Sequence, residues 1–256
     1  MPQTLRMEQS ITTKKADGIL LSVSESEEYH AFKKQNRVEE AKAAMQKAEA
    51  ELGEEEWSAA GVKKLCESAK KINAAAVRVP SGYLPLALSA LAGSSVKADC
   101  LVGSSGEEAA KVKAYEAKFA LRQGAKEVTL VLSPSKLKEE KYPEIKKEIK
   151  KIAKKCRAAL LKVSVNNEVS YSAIKRLSEI ASLCGAKFLS VPYTVGSERL
   201  KKEVGDRLML DFTGVKAVAD YKILLTAGAE RIGTNEGESI FSALLKEAEQ
   251  APLNGG

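Results

Sequence analysis

From position 57 onward, short apolar runs alternate with longer amphipathic ones. Val62, Leu65, Cys66 and Ala69 recur at helical spacing and predict a helix over 57–71. Further helices are expected over 84–91, 107–123, 143–158, 170–183, 218–226 and 239–249. Gly93, Gly124, Gly185 and Gly228 follow helical patterns as stops, Pro143 suits a first turn, and Ser170 suits an N-cap. Between these helices lie short runs rich in Val, Leu, Ile and Ala. They predict strands over 75–79 (closed by Pro80), 98–102, 127–132, 159–165, 188–191, 207–211 and 231–233. Gly18-Ile19-Leu20-Leu21-Ser22-Val23 is expected to be the first strand, after a polar lead-in.

Strand followed by helix, repeated eight times, indicates a parallel sheet covered by helices. Eight units in a chain of 256 residues favour a closed (β/α)8 TIM barrel, which needs about 250 residues, over an open sheet. The expectation is one domain over 1–256. Residues 24–56 stand apart from the repeat: rich in Ala, Glu and Lys and free of proline, they predict a helical insertion after the first strand. Val38, Met45 and Leu52 repeat every seven residues, with Ala41 and Ala48 between them. That narrow stripe fits a helix laid on the outside of the barrel, or a docking helix for a partner.

Hydrophobic residues make up 44% and aromatics 5%, so the core is aliphatic. No run approaches the roughly 18 apolar residues of a membrane span, and the first fifteen residues hold no apolar signal core. Cys66, Cys100, Cys156 and Cys184 form no CxxC pair and read as free thiols. A cytoplasmic location is expected. The single histidine, His30, excludes a histidine-rich metal site; no metal and no cofactor are expected. Net charge is +7, and 136–157 alone holds ten Lys/Arg against four Glu.

Several stretches resemble the deoxyribose-phosphate aldolases, class I aldolases of nucleoside catabolism. Asp17 to Leu21 is similar to their opening Asp-His-Thr-Leu-Leu, and Val77-Arg78-Val79-Pro80 to their second strand. Val112 to Lys118, Gly124 to Val128 and Leu161-Lys162-Val163 resemble their next units, and Ala227 to Thr234 their last repeat. The resemblance implies the barrel fold. It also implies a lysine that forms a Schiff base, a second lysine that lowers its pKa, a relay aspartate and a phosphate grip. The family's nucleophile strand reads Ala-Asp-Phe-(Val/Ile)-Lys-Thr-Ser-Thr-Gly; here Ala186 to Thr194 puts Ser190 at the lysine. Against the family's Gly-x-Lys-x-Ser-Gly-Gly, the second lysine falls on Leu210 and the glycine pair on Thr213-Gly214. The relay aspartate falls on Thr129, and the phosphate loop becomes Gly233-Thr234-Asn235-Glu236. A carboxylate about 4 Å from a phosphate opposes it by roughly 4 kcal/mol per unit charge at an effective dielectric of 20.

These departures predict a non-enzymatic, aldolase-like protein that acts by binding another protein. The alternative is a diverged lyase using Lys162, a lysine shared with the family. Lys162 is either that nucleophile or an inherited pocket lysine paired with an acid such as Asp211. The binding surface expected is the basic helix: Ile145, Ile149, Ile152 and Cys156 would face the barrel, turning Lys146, Lys147, Lys150, Lys151, Lys154 and Lys155 outward or to the flanks. That face is a solubilising surface or a patch for an acidic partner. By analogy with aldolases that bind filamentous actin, actin or an actin-regulating protein is the named candidate. Nucleic acid ranks lower, because the stripe has no interleaved aromatics and few arginines.

Overall fold

The computed structural model describes residues 27–53, 56–156, 159–166, 169–194 and 196–251. Eight parallel strands close into a barrel in chain order. They are β1 (Ala48–Ala50), β2 (Ala76–Pro80), β3 (Lys97–Val102), β4 (Glu127–Val131), β5 (Leu160–Ser164), β6 (Phe188–Pro192), β7 (Met209–Thr213) and β8 (Arg231–Thr234). Around them lie α1 (Glu27–Met45), α2 (Ala59–Lys71), α3 (Leu84–Ala90), α4 (Ala110–Gln123), α5 (Pro134–Lys138), α6 (Tyr142–Ala153), α7 (Tyr171–Leu183), α8 (Leu200–Val204), α9 (Val218–Thr226) and α10 (Gly237–Gln250). The (β/α)8 barrel expected from the pattern is the observed fold.

Local chemistry sets the boundaries. The Ser58 hydroxyl accepts from the Gly61 N–H at 3.0 Å and opens α2. Ser170 accepts from the Ala173 N–H at 3.2 Å and opens α7, as its sequence position suggested. Gly124, at φ +115°, turns the chain out of α4 in a left-handed conformation that suits glycine.

The first strand needs correction. The barrel is closed by Ala48–Ala50, between β2 and β8. That segment lies inside the stretch expected to be a helical insertion, and Gly18–Val23 lies outside the described residues. The helix therefore precedes the first strand instead of following it. The seven-residue stripe is split between elements: Ala41 and Met45 are buried on α1, while Ala48 starts β1. The α1 helix lies against α10, and the Arg37 guanidinium donates to the Ala251 carbonyl at 2.9 Å. Tyr221 on α9 donates its hydroxyl proton to the Ala44 carbonyl at 2.9 Å.

The apolar core forms the layer between barrel and helices. Val77, Val79, Leu130, Val163, Leu189, Leu210, Phe212 and Ile232 from the strands, with Ile145, Ile149, Ile152, Leu177 and Leu224 from the helices, are all fully buried in one cluster. Cys66, Cys100 and Cys156 are buried free thiols, and Cys184 is a half-buried one. Among the described residues no helix is long and apolar enough to cross a membrane.

Candidate active site

Strand register decides what faces the barrel interior. Arg78 pairs with Asp99, Asp99 with Glu127, Thr129 with Lys162, Lys162 with Phe188, Ser190 with Asp211, and Asp211 with Arg231. Side chains on a strand alternate between faces, so these residues share the inner one. The interior of such a barrel is usually filled by branched apolar side chains. Here much of it is charged.

Two cations organise the centre. The Arg78 guanidinium reaches Glu49 at 2.7 Å, Asp99 at 3.2 Å and Glu51 at 3.3 Å, and makes a close contact with Asp211. The Lys162 ammonium lies 2.6 Å from Glu49, 3.1 Å from Asp99 and 2.9 Å from Glu127. Glu127 also takes Arg231 at 3.0 Å, and the Phe188 ring lies beneath both Lys162 and Arg231 at 5.7 and 5.5 Å. The network thus runs Asp211–Arg78–Glu49–Lys162–Glu127–Arg231. Two hydroxyls join it: Thr129 donates to Asp99 at 2.6 Å, and Ser190 donates to Asp211 at 2.8 Å. Removing one partner from such a buried network costs about 3–5 kcal/mol, because the remaining charge stays dehydrated.

The protonation pattern follows from neighbours. Burial opposes the Lys162 charge, but Asp99 and Glu49 overcome it and hold the ammonium above the ordinary lysine range. Burial likewise works against Arg78, and Glu49, Asp211 and Asp99 outweigh it. Asp99 and Asp211 diverge although both touch Arg78. Burial and the adjacent Glu49 push the Asp99 carboxyl up, Lys162 offsetting only part of this. Burial also acts on Asp211, but Arg78, Lys162 and the Ser190 hydrogen bond hold it down. One oxygen of each aspartate, and Nε and Nη1 of Arg231, are buried without a hydrogen-bond partner among the described residues. The acceptor oxygens of Glu49, Asp99 and Glu127 lie within 4.8 Å of one another, close enough to share a cation. The Lys162 ammonium stands at that position.

The rim carries one more carboxylate. Glu51 sits one inward position above Glu49, and its side chain is 17% exposed. The Gly214 N–H donates to it at 2.8 Å. Burial pushes its carboxyl from 4.5 up to about 7, against the opposing pull of Arg78 and of that N–H.

Thr129, Lys162 and Ser190 all lie in the interior network. Leu210 does not. Asp211 is the inward residue of β7, and alternation sends Leu210 to the outer shell. The residue opposite Ser190 is Asp211, and Leu210, expected in the site, lies outside the interior network. The expected pairing of Lys162 with Asp211 is replaced by Glu49, Asp99 and Glu127. Thr213 is half-buried and Gly214 exposed at the rim, with Gly214 bonded to Glu51. Asn235 and Glu236 are exposed, and the Glu236 carboxylate accepts from the Ser239 hydroxyl at 3.1 Å. The carboxylate beside the Gly214 N–H is Glu51, which lay in the segment read as helix.

On α6, Lys147, Lys150 and Lys151 are exposed and Lys146 is half-buried; the helix ends at Ala153, short of the expected 158, so the exposed Lys154 and Lys155 follow it. Glu148 turns inward between them. It accepts from buried Lys113 at 2.6 Å and from Lys136 at 3.0 Å, fastening α6 to α4.

Glu49, Arg78, Asp99, Glu127 and Arg231 were not singled out from the sequence. Their signal was a charge set among apolar neighbours, as in Val77-Arg78-Val79 and Ala98-Asp99-Cys100. An ion flanked by buried residues on a strand points into the barrel lumen, and several such strands imply an ionic interior.

Residues 36–251 match the model of the DeoC/LacD family aldolases. The matched range starts after Asp17–Leu21, so the opening resemblance proposed there is not part of it. The deoxyribose-phosphate aldolase of Carboxydothermus hydrogenoformans is 31% identical over 201 residues, covering 73% of this chain and 88% of that protein. The deoxyribose-phosphate aldolase of Clostridium novyi is 31% identical over 198 residues, 73% of this chain and 89% of that one. Among solved structures, the aldolase QR15 is 27% identical with a TM-score of 0.73, over 82% of this chain and 98% of its own. The deoxyribose phosphate aldolase of Aeropyrum pernix, 19% identical with a TM-score of 0.70 over 85% and 97%, shares the fold. These relatives overturn the expectation that the chain is not an enzyme: the altered positions stand in a sequence that aligns with named aldolases over most of its length. The chain belongs to the DeoC/LacD family of aldolases.

Proposed function

We propose that the chain is a carbon–carbon lyase of the aldolase type, acting on a small hydroxy-carbonyl compound, with Lys162 as the Schiff-base amine. The observation that carries this reading is an interior lysine ringed by proton acceptors: Lys162 Nζ lies 2.6 to 3.1 Å from Glu49, Asp99 and Glu127. The activity named for the 31% identical relatives supports the same reaction class.

In the resting state Lys162 is an ammonium and not a nucleophile. The first step passes one Nζ proton to Asp99, the carboxyl that burial and Glu49 already push upward. The neutral amine then adds to the carbonyl carbon, and its second proton moves to the carbonyl oxygen. The resulting hydroxyl takes the Asp99 proton and leaves as water, giving a protonated Schiff base. The bond between the α and β carbons then breaks. Its electron pair moves toward the iminium to form an enamine, and the β-hydroxyl proton passes to a neighbouring carboxylate as the aldehyde departs. Protonation at carbon and hydrolysis return the amine. Lys162 has no exposed surface, so turnover requires the side chains above it to part.

Exchange of acetaldehyde α-hydrogens in deuterated water, followed by NMR, reads the enamine without requiring the natural substrate. The wild-type chain is expected to exchange them faster than buffer. Lys162→Arg, which keeps a cation among the three carboxylates, is expected to fall to the buffer rate. Equal rates in the two proteins would remove Lys162 from the chemistry, and a wild-type rate no faster than buffer would remove the lyase reading.

A further inference from the structure

Four observations converge on the carboxylate of Glu51. The Gly214 N–H, at the exit of β7, donates to its Oε1 at 2.8 Å. The Arg78 guanidinium, from β2, approaches its Oε2 at 3.3 Å. A Cβ on Gly233, from β8, would stand 2.8 Å from the same Oε1, so this space is kept open by a glycine. The side chain is 17% exposed, at the end of the barrel where the strands' C-termini open. A backbone N–H, a guanidinium and a cleared space form the kind of donor set that holds a small anion. In this chain the anion is supplied from within.

We propose that Glu51 is the specificity-determining residue of the mouth: its carboxylate occupies the donors that would otherwise receive a substrate's anionic end, so the chain takes carbonyl compounds without a phosphate group. The substrate class rests on the lyase reading above. The exclusion of anions is testable without catalysis. Arg78 from β2 is the cation facing Glu51. Asp211 from β7 and Glu49 from its own strand are the facing anions, and Gly214 and Gly233 offer backbone alone. Asp99 from β3 is a fourth carboxylate on Arg78, so an incoming dianion meets four carboxylates around one guanidinium, and protonation of Glu51 removes one of the four.

Sulfate is the probe, because it stays dianionic across the range in which Glu51 titrates. Its binding is measured by calorimetry on the wild-type chain and on Glu51→Ala and Glu51→Gln. At about pH 8.5 the wild-type chain is expected to show no saturable site. At about pH 5.5 it is expected to bind about ten-fold more tightly or better, as the carboxylate is neutralised. Both variants are expected to bind at the higher pH, with affinities that change less than about three-fold across the range. Circular dichroism checks folding; if Glu51→Ala does not fold, Glu51→Gln, which keeps an acceptor for the Gly214 N–H, decides. Wild-type binding at high pH equal to that of the variants overturns the proposal, and so does absence of binding in a folded variant. If sulfate behaves as expected while acetaldehyde exchange stays at the buffer rate, the lyase reading fails and the anion exclusion stands. The converse pair of results leaves the lyase and removes Glu51 as its selector.

Discussion

The two faces of the same eight strands obey opposite rules. The outer face meets the helices with Val77, Val79, Leu130, Val163, Leu189, Leu210 and Ile232. The inner face meets itself with Glu49, Arg78, Asp99, Glu127, Lys162, Asp211 and Arg231. Burial of apolar area holds the outer layer, at about 25 cal/mol per Å², and tolerates swaps that keep volume. The inner layer is held by pairing, and each ion is stable there only through its partners. A barrel with this inner face retains buried acids, bases and an amine at hydrogen-bonding distance, a composition suited to proton transfer rather than to stability.

The sharpest way to break this contrast is to remove its central cation. Arg78→Met leaves Glu49, Asp99 and Asp211 without their guanidinium and is expected to cost about 4 kcal/mol or more in denaturant unfolding. A loss below about 1 kcal/mol would show that the ring does not depend on Arg78.

On the outer face, Leu210→Ala is expected to cost about 2–4 kcal/mol, and Leu210→Met less than about 1.5. A Met substitution as costly as Ala would place Leu210 in a layer as exacting as the inner one.

The rim supplies a pH test. The folded-state pKa of Glu51 is raised, so the folded chain binds more protons than the unfolded chain between 4.5 and about 7. The Glu51 contribution therefore lowers stability as pH rises through that window, on the order of 3 kcal/mol, and the cost is absent below it. Glu51→Gln is expected to abolish that part of the pH dependence. Parallel unfolding curves for the two proteins across the window would mean that Glu51 titrates normally.

The smallest effect belongs to the surface. Lys147→Ala and Lys151→Ala remove exposed charges that face away from both layers. They are expected to change stability by less than about 0.5 kcal/mol. A larger loss in thermal unfolding would make the basic face part of the fold.

The outer layer was legible because its periods are simple: helical spacing on one side, short apolar strands on the other, with Gly124 and Ser170 as punctuation. The first strand was not. Ala48-Glu49-Ala50 is three residues long, sits between a true helix and a Glu-rich loop, and has the composition of a helix. Its one acid, Glu49, makes sense only once Arg78 and Lys162 are seen across the barrel. The site was half-legible for a related reason. Lys162, Ser190 and Thr129 were found, but the choice between Leu210 and Asp211 depends on register, and a single-residue slip exchanges the two faces. The aldolase family was legible in the motifs. Taken together, the altered positions predict absence of enzymatic activity; the aligned aldolases overturn that expectation, and seven inward charges surround those positions.

Lys162 as the Schiff-base amine is tested most directly by reductive trapping with acetaldehyde and borohydride at limiting aldehyde, followed by peptide mapping. An ethyl group is expected on Lys162 in the wild-type chain and is expected to be lost in Lys162→Arg. Modification spread over the exposed lysines of α6, with Lys162 untouched, would contradict it.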